Sequence, residues 1–352
     1  MKKRLLVIAV LLMAAFVCIT VLNGMDTELS PNEPSGSGTA ATDTADIKPS
    51  SKGSPYKFYF ERLTPVEKRA YNAIIEKIYD MPERIAVPKI DGKELDNVFS
   101  ALLFDNPDLF FLGRKCAVET RMWLTYFSVD YIVDKADIAD MRERLERECE
   151  AFEQTLTDPG NQWRTELEIH DHVIDRCEYH DPEGDLIYSS SYGALVNGRA
   201  ACEGYSKAVK LLLDRAGIEN ALISGVSENG EGSGGAHMWN IVNIGGDYYH
   251  LDCTWDDPVS DDGGKLRMYT YFNLSDEMIS GTHRDFSYDF GCKSTAENYY
   301  IKTGTYFESY SHSSESRLTD IITKSVKNGR YQIQLRFADK KSYDGAVADL
   351  IK

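Results

Sequence analysis

The chain has 352 residues, 42% of them hydrophobic and 27% charged, which suffices for one large folded domain or two ordinary ones. Its formal net charge of −17 argues against nucleic acid, whose phosphates need clustered Lys and Arg, and against docking on an anionic lipid surface. Beyond solubility the acidic balance prescribes nothing.

Lys2, Lys3 and Arg4 precede an apolar run over residues 5–22, interrupted only by the hydroxyl of Thr20. Residues 1–24 therefore read as a signal peptide or membrane anchor, and the protein is expected to be exported, either secreted or held at the extracellular face of the membrane. The run is long for a signal peptide and long enough to span a bilayer core. Cys18 follows Phe16 and Val17 rather than small residues, so it reads as an apolar cysteine of the targeting helix. Residues 25–56 are rich in Ser, Thr, Gly, Pro and Asp, a composition that favours a flexible linker.

Residues 57–160 are expected to form a mainly helical N-terminal region. Thr64-Pro65 opens a helix with Tyr71, Ile74, Ile75, Ile78 and Tyr79 at helical spacing, and a second helix spans 95–103 before Asn106-Pro107. Residues 122–133 alternate as a strand or hairpin, and 134–152 return to an amphipathic helix. Six cysteines follow the targeting segment: Cys116, Cys149, Cys177, Cys202, Cys253 and Cys292. Export permits disulfides, but their spacing forms no framework, and most read as buried thiols.

Residues 161–295 carry the chemistry. Tyr205, Ala208, Val209, Leu212 and Ala216 fall on one helical face ended by Gly217, which puts Cys202 at the helix start. Unpaired N–H groups and the positive dipole end there favour a thiolate and can stabilise an oxyanion. Taken alone, Cys202 would be an ordinary buried thiol. Downstream, two β-rich runs flank Gly245-Gly246 as a tight hairpin. With that loop Ile244 faces Asp247, Val242 faces Tyr249, Trp239 faces Asp252 and His237 faces Thr254. His237, Trp239, Asp252 and Thr254 then share one face, with His237 and Asp252 diagonal neighbours within reach of an imidazole–carboxylate bond. The Gly-rich stretch 229–235 before His237 adds a close-approach loop.

The stretches YGALVNGRAACEGYSKAVKLLLDRAGI, HMWNIVNIGGDYYHLDCTWDDP and YFNLSDEMISGTHR resemble the transglutaminase-like branch of the papain-type fold, over roughly 169–284. The resemblance implies an α+β papain/transglutaminase-like core, a Cys-bearing helix packed on an antiparallel sheet bearing His and Asp. It implies Cys202 as nucleophile, His237 as general base and then acid, and Asp252 as orienter. Trp239, Trp255 and Tyr205 are the substrate-cleft candidates. Ala201 and Glu203 flank Cys202, unlike the Gly-Gln-Cys-Trp motif of animal cross-linking enzymes, whose calcium sites do not carry over. No metal or cofactor is implied. The expected activity is acyl transfer through a thioester on amides of extracellular proteins or cell-wall peptides, by hydrolysis or transglutamination. A non-catalytic binding or scaffold module at the cell surface is the alternative. The oligomeric state is left open.

Two other clusters compete. His170, His172, Cys177 and His180 offer metal-ligand types, but residues two apart on a helix do not face each other, so polar residues on a helix are the simpler reading. Asp256-Asp257 and Asp261-Asp262 read as a solvated loop. Residues 296–352 are expected to form a small α/β extension, with a helix near 318–326, a strand over 331–337 after Asn328-Gly329, and a final short helix.

Overall fold

A computed structural model describes residues 47–350 apart from 123, 229–233, 259–265 and 330–332. The expected targeting segment 1–24, most of the expected linker, Cys18 and Asp261-Asp262 lie outside the described residues.

In chain order the elements begin with α1 (Pro65–Ile75), β1 (Ile85–Val87), α2 (Gly92–Asp105), β2 (Leu112–Arg121), β3 (Leu124–Tyr131) and α3 (Ile138–Glu153). The middle of the chain forms α4 (Gln162–Arg176), β4 (Glu178–Tyr179), α5 (Ser191–Leu195), β5 (Arg199–Ala200), α6 (Cys202–Arg215), β6 (Asn220–Glu228), β7 (Gly234–Ile244) and β8 (Asp247–Leu251). After these come α7 (Asp276–Ile279), β9 (His283–Arg284), α8 (Tyr299–Lys302), β10 (Tyr306–Phe307), α9 (His312–Lys327), β11 (Arg336–Phe337) and α10 (Lys340–Leu350). The fold is α+β, as the sequence implies.

Local chemistry explains the element starts. Thr64 and Glu67 form a capping box with Pro65 in the first turn of α1, and Asp91 with Glu94 does the same for α2. The N-terminal region is less purely helical than expected. β1, β3 and β2 form a three-stranded antiparallel sheet, with Val118 opposite Phe127 and both buried against the helices. The expected strand region at 122–133 is thus the second half of a hairpin that begins at Leu112.

The expected linker also ends earlier than residue 56. Lys48 O accepts from the Asn72 amide at 2.9 Å, Tyr56 Oη donates to Gly217 O at 2.7 Å, and Lys210 Nζ donates to Tyr56 O at 3.2 Å. These bonds hold the segment to α1 and to the back of α6, although its composition offers little apolar surface.

The central sheet has the order β8-β7-β6-β9 and is antiparallel throughout. Gly245 and Gly246 turn β7 into β8 with φ of 65° and 98°, a pair of positive values that favours glycine at both positions. The register runs Asn240–Leu251, Val242–Tyr249 and Ile244–Asp247, as the two-glycine loop requires. Val242, Ile244, Tyr249 and Leu251 pack with Tyr205, Ala208, Val209 and Leu212 of α6 and with the N-terminal region. The opposite face, carrying Ile223, Trp239 and Ile241, is covered by Leu274, Ile279 and Cys292. The sheet is therefore buried on both faces. In the C-terminal extension the strand expected over 331–337 is confined, among the described residues, to Arg336–Phe337. It pairs in parallel with β10, a two-residue ladder too short to organise a longer run.

Candidate active site

Cys202 is the first residue of α6, and the preceding Ala201 gives that helix no side-chain cap, so no capping side chain competes for its first-turn N–H groups. Two hydrogen bonds lock α6 to β7: Ser206 Oγ donates to Met238 O at 2.8 Å, and the Asn240 amide donates to Ser206 O at 3.0 Å. They bring the helix start to the end of β7 that carries His237. Glu203, beside Cys202, accepts from Arg114 of β2 and from Lys207 at 2.8 Å. Burial raises its carboxyl, but the two cations outweigh that and hold it low.

Gly204 permits the close approach at this helix start. A Cβ there would lie 2.5 Å from Tyr188 O and 2.7 Å from the Ala200 Cβ. Gly204→Ala is expected to cost about 1–3 kcal/mol, measured by urea unfolding, because backbone must shift to admit one methyl group.

His237 is 7% exposed, and its Nε2 donates to Asp252 Oδ2 at 2.7 Å. Burial pushes the imidazole down, but the adjacent Asp252 carboxylate, its hydrogen bond and a bond with Cys202 lift it to about 10. Nε2 is committed to Asp252, so Nδ1 is the nitrogen left for the thiol. Asp252 is 1% exposed; burial raises its carboxyl, and His237 and His283 outweigh this to hold it well below the usual carboxylate range. Its Oδ1 accepts from the amides of Thr254 and Trp255 at 3.0 and 3.2 Å. Cys202 is partly exposed, while the other five thiols among the described residues are buried.

The structure corrects two of the three cleft candidates. Trp239 is 0% exposed: its ring stacks on His237 at 5.7 Å, and its Nε1 donates to His250 Nδ1 at 2.9 Å. The segment containing Leu274 and Ile279 covers that face, so Trp239 supports the site from below. Tyr205 is 1% exposed, with its hydroxyl donating to Asp257 Oδ2 at 2.6 Å. Trp255 stays partly exposed, 6.2 Å from the His237 ring, and fits a cleft wall. Tyr179, not singled out in the sequence, is 47% exposed, and burial followed by the neighbouring Cys202 and Asp181 pushes its phenol up to about 12. It joins Trp255 as a residue able to touch a substrate.

The expected solvated loop at Asp256-Asp257 is instead a buried anchor. Asp256 is 0% exposed, accepting from His170 at 3.2 Å and from the Tyr271 amide at 3.0 Å. His170 also meets Asp171 at 3.1 Å. His172 stacks on Phe152 and His180 packs edge-on against Tyr188, so the four candidate ligands His170, His172, Cys177 and His180 do not converge. The sheet end bearing Asp252 is thus braced from α4 and α6.

Two groups among the described residues bring metal-ligand atoms close together: His237, Asp252 and His283, and His250, Asp276 and Cys292. Their geometry is that of hydrogen bonds. The two histidine nitrogens lie 2.7 and 3.0 Å from Asp252 Oδ2. Those separations are shorter than the ~3.3 Å edge of a tetrahedral site with metal–ligand bonds of about 2 Å. In the second group the Trp239 N–H occupies His250 Nδ1, so Nε2 carries the proton and donates to Asp276 at 2.9 Å.

Residues 150–253 match the family model of the transglutaminase-like superfamily, a group of acyl-transfer and protease-like proteins that includes non-catalytic members. No curated protein matches the chain. Among solved structures, a Cytophaga hutchinsonii chain provisionally named a cysteine protease aligns with 14% identity over 41% of this chain and 56% of its own, at a TM-score of 0.25. A chain named as a TGase aligns with 15% identity over 61% of this chain and 60% of its own, at 0.28. A Parabacteroides distasonis chain provisionally named a protease aligns with 15% identity over 44% of this chain and 40% of its own, at 0.24. The chain thus spans about half the length of these structures. The match over 150–253 contains Cys202, His237 and Asp252, so the central region of this chain is similar to the transglutaminase-like superfamily.

Proposed function

We propose that the protein is a cysteine-dependent acyl-transfer enzyme acting on amide bonds of proteins or peptides. The observation that carries this reading is the 2.7 Å bond from His237 to Asp252 beside Cys202 at an uncapped helix start. His237 Nδ1 takes the Cys202 proton as Sγ attacks the amide carbonyl carbon, and first-turn N–H groups of α6 face the developing oxyanion. The C–N bond then breaks, His237 returns the proton to the leaving amine, and a thioester remains on Cys202. Water or a primary amine resolves the thioester, losing its proton to His237 and regenerating the thiol. Asp252 holds the imidazole and stabilises its protonated form throughout.

The basic residues and apolar run at the N-terminus support an exported site of action. Substrates would then be extracellular proteins or cell-wall peptides. The test incubates the protein and a Cys202→Ala control with such proteins and peptides, with and without a labelled primary amine. Cys202-dependent amine incorporation means transfer, and new termini or released ammonia mean hydrolysis. The absence of any Cys202-dependent product across a broad panel would refute catalysis and favour the binding module.

A further inference from the structure

Asp252 is held by four donors: His237 within the family-matched segment, the two amides that directly follow that segment, and His283 from a separate strand well beyond it. Oδ1 accepts the amides of Thr254 and Trp255 at 3.0 and 3.2 Å, while Oδ2 accepts Nε2 of His237 at 2.7 Å and Nε2 of His283 at 3.0 Å. A carboxylate oxygen offers two in-plane lone pairs. With Oδ1 tied to two amides and one Oδ2 lone pair taken by His283, the remaining Oδ2 lone pair is aimed at His237.

We infer that His283 is a positioning residue: it fixes the rotation of the Asp252 carboxylate and, through it, the ring orientation and tautomer of His237. The inference rests on the roles proposed above for Cys202, His237 and Asp252. His283 is itself immobilised, which a positioning group requires. It is 1% exposed, and its Nδ1 lies 2.9 Å from Thr282 Oγ1. Its ring is wedged between Trp239 and Trp255, each 4.9 Å away.

The backbone provides the placement. His283 sits on β9, opposite Ser227, at the sheet edge remote from β8. Gly225, opposite His237, lets β9 come close; a Cβ there would lie 2.6 Å from Arg284 O and 2.8 Å from Trp239 Cη2. An imidazole from β9 thereby reaches across the β7–β6 pair to a carboxylate just beyond β8. A histidine that merely filled core space would not need its N–H on the one oxygen that His237 uses. Charge-assisted bonds of this kind are about twice as strong as neutral ones, which favours a fixed carboxylate over a rotating one.

The test compares His283→Ala and His283→Gln in the full chain, using Cys202 acylation by p-nitrophenyl acetate and the downfield proton resonance of the His237–Asp252 bond. His283→Ala is expected to lower the maximal acylation rate by roughly 10–100-fold, with half-saturation changed less than about two-fold. The downfield resonance should move upfield or vanish. His283→Gln keeps an N–H donor and should recover most of both. If alanine prevents folding, His283→Phe, which fills the volume without a donor, takes its place. An unchanged rate and resonance in a folded donor-free variant would overturn the inference. A wild-type protein that shows the resonance yet never acylates Cys202 would instead defeat the proposed function, and the resonance alone would then decide the role of His283.

Discussion

Asp252→Asn is expected to slow Cys202 acylation by roughly 10²–10⁴-fold while leaving the fold in place. The buried carboxylate accepts two imidazole N–H groups and two backbone amides. An asparagine keeps the shape but loses the charge, and its NH₂ replaces one acceptor oxygen with a donor. His237 then loses both its orienting acceptor and the charge that stabilises its protonated form.

The same substitution has a pH signature in stability. His237 is lifted from 6.5 to about 10 in the folded protein, so its contribution is fully present below about 6.5 and is lost as pH rises through about 10. Asp252 is depressed, so its contribution is present above about 3.9 and is lost as pH falls towards its lowered folded value. The stability gap between wild type and Asp252→Asn should therefore be widest between about pH 4 and 6.5 and narrow steadily towards pH 10. Urea unfolding at several pH values measures it, and a gap that widens above pH 7 would contradict the ion pair.

His170→Ala should cost about 3–5 kcal/mol in stability. Burial depresses the imidazole, but its bonds to Asp171 and Asp256 outweigh that and lift it to about 9. With that value it meets Asp256 as a buried cation at neutral pH, and removing it leaves the 0% exposed Asp256 with the Tyr271 amide but without the imidazolium charge. Because the folded value lies above 6.5, this stabilisation is full below about 6.5 and is lost as pH rises through about 9. Wild type and variant should converge in urea midpoint as pH climbs. A loss under about 1 kcal/mol at pH 6 would mean that Asp256 is neutral or finds other partners. Asp256 braces the turn that follows Asp252, so the variant should also slow Cys202 acylation.

What could be read from the sequence divides along a physical line. The hairpin register followed from Gly245-Gly246 because two residues with positive φ fix the loop length, and loop length fixes every later pair. That arithmetic puts His237 and Asp252 together without knowledge of the rest. The α6 face was legible for the same reason, as a local period. Burial was not. Trp239 sits on the face the register assigned to it, but whether that face meets water depends on the segment around Leu274 and Ile279 folding over it. The burial of Tyr205 and Asp256 is likewise not local, since each finds its partner across a long stretch of chain. His283 stands in the same class. It lies on a two-residue strand with no periodicity to announce it, and its bond to Asp252 exists only because β9 pairs with β6. Of the N-terminal sheet, the strand region at 122–133 is legible as an alternation, whereas β1, with three residues, is too short to show a period.

The most direct measurement of the central claim is the site and rate of acylation by p-nitrophenyl acetate, mapped by peptide mass in wild type and in His237→Ala. In the wild type the ester C–O bond should break, nitrophenol should leave and one acetyl thioester should form on Cys202. That rate should fall by roughly 10²–10⁴-fold in His237→Ala. A native Cys202 that stays unmodified, or one acylated equally fast without His237, would contradict the account.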